Sequence, residues 1–137
     1  MKLTLNLKGN AFSMAVVNER DQVLFTDASS GIGGADSAFR PMELVAAGLV
    51  SCSSIDLIHI LRKKRKEVAV LSVDVHAHRV ETTPAVFDTI HLVFNLSTNA
   101  EESVVEKALQ LTFDKYCSVA NMLKATVTIT YSYNLLT

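Results

Sequence analysis

Two cysteines, Cys52 in "VSCSS" and Cys117 in "KYCSV", are the residues of this 137-residue chain whose type best suits chemistry. A thiol becomes a nucleophile or a metal ligand once ionised, and two thiols that meet can cycle between sulfenic acid, disulfide and dithiol. Far apart in sequence, they form neither a C-x-x-C pair nor a zinc spacing, and in a reducing compartment a permanent structural disulfide would be unusual. The thiols are therefore either inert or cycling.

On a helix, Cys52 has Asp56 one turn on at a bearing of about 40° and His59 two turns on at nearly its own bearing. Glu43 falls on the opposite face. Burial and a neighbouring carboxylate both raise a thiol pKa, so a reactive Cys52 needs a cation from outside its own helix. Arg40, Arg79 from the following strand, or a partner chain are the candidates; without one, Cys52 is a small apolar filler. Cys117 lies between two helical segments, either at the N-terminus of the second, which favours a thiolate, or packed into a corner. His76 and His78 share a strand face, but beyond Asp74 or His91 no third ligand is apparent, so neither a metal nor a cofactor is expected.

These residues need elements to position them. Leu3, Leu5 and Leu7 alternate on one face, and "FSMAVVNERDQVLFTD" reads as two strands joined at the turn Asn18 to Asp21. The segment "ASSGIGGADSAFRP" is a loop whose glycines permit positive φ and close backbone approach. Pro41 opens a helix expected to run to about Lys66, apolar around most of its circumference and so buried on most sides. Strands follow at 68–80, with Leu71, Val73, Val75 and Ala77 on one face, and at 86–96, with Ile90, Leu92, Phe94 and Leu96 inward. Asn99 with Glu102 resembles a capping box for a helix ending near Tyr116, with Val104, Val105, Ala108, Leu109 and Leu111 as its buried side. Ser118 is placed to cap a short further helix, and "ATVTITYSY" closes the chain as a strand. This order specifies one α+β domain over residues 1–137, with helices against an antiparallel sheet. One small sheet cannot cover two helices, so a homodimer packing the long helices together is expected.

Bulk properties narrow the function. Hydrophobic residues make up 49% of the chain and mean hydropathy is +0.26, which points to surplus apolar surface for an oligomer interface. A net charge of −1 provides no positive field for nucleic acid. The N-terminus shows no apolar signal region, so the cytoplasm is the expected compartment. The apolar run Leu44 to Leu61, followed by "RKKRK", is interrupted by Ser51, Ser53, Ser54, Asp56 and His59 and reads as a core helix with a solvated basic end rather than a membrane span.

The segments "GGADSAFRPMELVAAGLVSCSSIDLIHILRKKR", "HRVETTPAVFDTIHLVF" and "ALQLTFDKYCSVANML", in that order, resemble the OsmC/Ohr family of osmotically induced and organic-hydroperoxide-resistance proteins, closest to its OsmC-like branch. The resemblance covers about residues 31 to 133. It implies antiparallel sheets around two long central helices, an intertwined homodimer and active sites at the dimer interface. It also implies a thiol peroxidase in which Cys52 attacks an organic hydroperoxide to become a sulfenic acid, Cys117 resolves it to a disulfide, and a dithiol reductant reopens the pair. Met42 stands where the characterised peroxidases carry a glutamate that pairs with an activating arginine; Glu43 follows it, and Arg79 or Arg40 would have to supply the cation. Met42 and Leu49 would line an apolar substrate pocket.

Overall fold

The computed structural model describes residues 1–9 and 11–137, in two compact units, Met1–Val45 and Ala46–Thr137. In the first, strands β1 (Leu3–Leu7), β2 (Met14–Asn18) and β3 (Val23–Thr26) form an antiparallel meander in that order, pairing Leu5 with Val16 and Val16 with Leu24. The β2–β3 turn falls on the expected residues because the Asn18 side chain organises it: Oδ1 accepts the N–H groups of Arg20 and Gln22 at 2.9 and 3.1 Å, and Asp21 takes φ 59°. Leu3, Leu5 and Leu7 share a face as the alternation requires, and all three are exposed.

The loop after β3 is built around Asp27. Its carboxylate accepts from the N–H groups of Ala28, Ala35 and Ser37 and from the Ser37 hydroxyl, at 2.7 to 3.2 Å, so a buried charge is satisfied by three backbone groups and one side chain. Helix α1 (Pro41–Lys63) then starts where proline predicts. Glu43 fixes that start by accepting the Arg40 N–H at 2.9 Å. Its end comes three residues before the expected Lys66. Arg65 adopts φ 57°, and the N–H groups of Arg65 and Lys66 return to the carbonyls of Arg62 and Leu61, a Schellman closure made without glycine.

In the second unit, β4 (Val68–Arg79) and β5 (Phe87–Thr98) form a long hairpin, with β6 (Thr128–Leu135) on the other side of β5. Ile90, Leu92, Phe94 and Leu96 of the central strand are fully buried. The sheet differs from the expected antiparallel one in a single pairing: β6 runs parallel to β5. A parallel pair needs a crossover, and helices α2 (Glu102–Leu111) and α3 (Ser118–Leu123) provide it. Phe113, just after α2, stacks on Tyr131 of β6 at 4.6 Å and meets Phe94 edge-on.

Both expected caps move by one or two residues. Asn99 does not cap α2; its Oδ1 accepts the Glu67 N–H at 2.8 Å beside the start of β4, and Glu101 is the N-cap. Ser118 lies inside α3, and Cys117 caps it. Along α2, Val105, Ala108 and Leu109 are buried as expected, whereas Leu111 is exposed. The second long helix is interrupted between α2 and α3 by one π-helical turn, Thr112–Tyr116.

Candidate active site

The interruption positions Cys117. Thr112 is buried and its hydroxyl donates to the Ala108 carbonyl at 2.9 Å, a local bond that competes with regular helix geometry. The backbone widens to the π turn, which ends when the Cys117 N–H reaches the Thr112 carbonyl at 2.8 Å. Cys117 then turns extended (φ −68°, ψ 104°), and its sulfur accepts the Ala120 N–H at 3.4 Å. The residue is only 1% exposed.

Cys52 projects from the middle of α1 and is half-buried. Asp56, one turn later on the same face, is also half-buried. The sulfurs of Cys52 and Cys117 and a carboxylate oxygen of Asp56 all lie within 4.8 Å of one another. Two thiols far apart in sequence thus share one site with a carboxylate. Burial pushes the Cys117 thiol up to about 11, the proximity of Cys52 and Asp56 pushes it the same way, and the Ala120 N–H opposes them. Asp56 Oδ2 is buried with no hydrogen-bond partner among the described residues.

Beside this group lies a cavity of about 230 Å³ lined by Asp56, His59, Ile60, Lys63, Lys64, Leu111 and Tyr116. Sequence reasoning missed it, assigning the basic run wholly to solvent. The available signal was the helical spacing of Asp56, His59, Ile60, Lys63 and Lys64, which places an acid, an imidazole and two ammonium groups along one side of α1 and the turn that ends it.

The other expected site residues are placed as follows. Arg40 pairs with Asp36, and Glu43 holds the Arg40 N–H, so both groups are committed to the entry of α1. Arg79 Nε donates to the Ala85 carbonyl at 2.7 Å and braces the β4–β5 connection. Each of these three side chains thus has a described partner of its own. Leu49 is completely buried, a core residue rather than a lining of the cavity by His59. Met42 is half-buried in the first turn of α1. On β4 and β5, His78 Nδ1 meets Asp88 at 2.7 Å, and His91 bridges Thr130 and Ser132 at 2.7 and 3.1 Å, so these imidazoles serve the sheet face.

An α+β chain of two three-stranded sheets, with one cysteine on a long helix and another at the break of a second, defines a class of two-thiol proteins. The chain belongs to the OsmC-like protein family, whose model matches residues 34–132. It is 38% identical over 111 residues to Protein YhfA of Escherichia coli (strain K12), covering 80% of each chain. A protein from Aquifex aeolicus VF5 superimposes with a TM-score of 0.81 at 27% identity, over 99% of this chain and 97% of that one. An organic hydroperoxide resistance protein OsmC from Legionella pneumophila does so with 0.70 at 15% identity, over 98% of both, a likeness of fold.

Proposed function

We propose that this chain is a thiol-dependent peroxidase that reduces organic hydroperoxides. The observation that carries the reading is the approach of the Cys52 and Cys117 sulfurs to within 4.8 Å. Closing that gap to an S–S bond of about 2 Å requires the sulfurs to approach by no more than about 3 Å. The Cys52 thiolate attacks one peroxide oxygen, the O–O bond breaks and the departing alkoxide takes a proton to leave as alcohol. Cys117 then condenses with the Cys52 sulfenic acid, expelling water, and an external dithiol reduces the disulfide while itself becoming oxidised. Half-buried Cys52 suits attack on an incoming substrate, and fully buried Cys117 suits resolution. The fold shared with an organic hydroperoxide resistance protein supports the same substrate class.

The working form in this reading is a cytoplasmic homodimer. Leu3, Leu5 and Leu7 on β1 and Ile55 on α1 are 56–64% exposed, a supply of apolar surface that a second copy would cover. A second reading, a catalytically weak dimer that binds a small ligand or senses oxidants, is favoured by the prior engagement of Arg40, Glu43 and Arg79.

Mixing the reduced protein with one equivalent of cumene hydroperoxide separates the two. Rapid loss of both thiols with a two-hydrogen decrease in intact mass supports the peroxidase. Thiols unchanged after hours sink it.

A further inference from the structure

Cys52, Asp56 and Cys117 present a donor set with an unmet electrostatic need. A carboxylate oxygen taken out of water without a partner is costly, and buried polar atoms are almost always satisfied. Asp56 Oδ2 is such an atom, and an oxygen of the same carboxylate lies within 4.8 Å of two sulfurs, which in the ionised state add negative charge rather than compensate it. The described hydrogen bonds and ion pairs bring no Lys, Arg or His to Asp56. Lys63 and Lys64 line the same cavity as Asp56 without a described ion pair to it, so the carboxylate keeps an open place for a bound cation.

We propose that Cys52 Sγ, Cys117 Sγ and a carboxylate oxygen of Asp56 form a binding site for a zinc-class divalent cation, with a fourth coordination position left to water or an exogenous thiol. Two thiolates and one carboxylate suit a borderline-soft ion in tetrahedral geometry, with metal–sulfur bonds of about 2.3 Å and sulfur–sulfur separations near 3.8 Å. Reaching that geometry from within 4.8 Å asks for roughly 1 Å of side-chain movement. Two ligands come from one face of α1 at i and i+4, and the third from the cap of α3, so the site is preorganised by two helices. On binding, each coordinating thiol gives up its proton and the Asp56 carboxylate gains a ligand bond. Metal occupancy and a Cys52–Cys117 disulfide exclude each other, because both use the same sulfur electrons.

Metal binding at this site is separate from peroxide chemistry and is tested without it. Reduced, metal-stripped protein is titrated with Cd²⁺ while sulfur-to-metal charge-transfer absorption is followed, and with Zn²⁺ by calorimetry in buffers of differing ionisation enthalpy. Expected are saturation at one ion per chain, a thiolate charge-transfer band and proton release on binding. In Asp56→Asn, affinity should weaken at least about tenfold with both thiols still titratable and the melting temperature of the metal-free protein held or raised. Cys52→Ser should remove the band's intensity by about half or more. Absence of saturable binding, ions bound without proton release, or an Asp56→Asn affinity equal to that of the unmodified chain overturns the site. Should Asp56→Asn fail to fold, stoichiometry and proton release in the unmodified chain decide alone. Running the cumene hydroperoxide assay in excess chelator keeps the two readings separable: either can fail while the other holds.

Discussion

The Cys117 sulfur accepts the Ala120 N–H at 3.4 Å and so caps the helix that carries it into the final crossover. The same atom lies within 4.8 Å of the Cys52 sulfur. A structural duty and a candidate chemical one meet on one residue, and substitutions can separate them. Serine keeps a capping acceptor, whereas alanine removes it at a cost of about 1 kcal/mol, with a further contribution from the void left by a buried sulfur. Urea denaturation of the reduced proteins should rank the unmodified chain first, Cys117→Ser second and Cys117→Ala last. A serine variant less stable than the alanine variant contradicts the capping role.

Chemistry divides between the cysteines in a different way. Cys52→Ser should reduce peroxide consumption to the uncatalysed background, while Cys117→Ser should complete a single attack and accumulate sulfenic acid at Cys52, detectable with a cyclic dione probe and by mass. If Cys117→Ser sustains unchanged multiple turnovers with a dithiol, Cys117 is not the resolving thiol.

Local pattern carried most of the elements. The alternation of Ile90, Leu92, Phe94 and Leu96 marked a strand that proves fully buried, and Pro41 marked the first turn of α1, because both signals act within a few residues. The parallel run of β6 beside β5 was not legible, since alternation is the same in either direction. Nor were the caps: Asn99 is drawn to Glu67, 32 residues away, and no local spacing announces that. Cys52 and Asp56 on one helical face could be read from the wheel, but their meeting with Cys117 depends on the crossover, a matter of tertiary packing, and on the π turn at Thr112, which no residue spacing announces. The family resemblance, rather than any spacing, pointed to that meeting.

The loop after β3 makes a sharper demand on one glycine. A Cβ placed on Gly34 would stand 2.0 Å from the Ala28 carbonyl oxygen, a backbone atom that also accepts the Asp36 N–H at 3.3 Å. Gly34→Ala must therefore open the loop that Asp27 organises, at a cost of about 1–3 kcal/mol typical of overpacking. Limited proteolysis should show new cleavage between residues 28 and 37 at temperatures where the unmodified chain resists. Unchanged cleavage would mean the loop relaxes freely.

Asp27 gives the first unit a defined response to acid. Hydrogen bonds from the Ser37 hydroxyl and N–H, then from Ala28 and Ala35, hold its carboxyl below the usual carboxylate range against the opposing effect of burial. With the folded pKa below the unfolded value of about 3.9, the unfolded chain binds more protons through this window, so stability rises with pH across it. The contribution is complete above the unfolded pKa and disappears as pH falls through the depressed folded one. Asp36, lowered mainly by its bond to Arg40, titrates in the same direction, so total acid sensitivity does not isolate Asp27. Comparison with Asp27→Asn does: the variant should be less stable near neutrality, and the gap should narrow as pH falls below about 4, as the linkage requires. Urea midpoints measured from neutral pH into that acidic range supply the test, and a gap that stays constant would assign the Asp27 contribution to shape and hydrogen-bond count rather than to its charge.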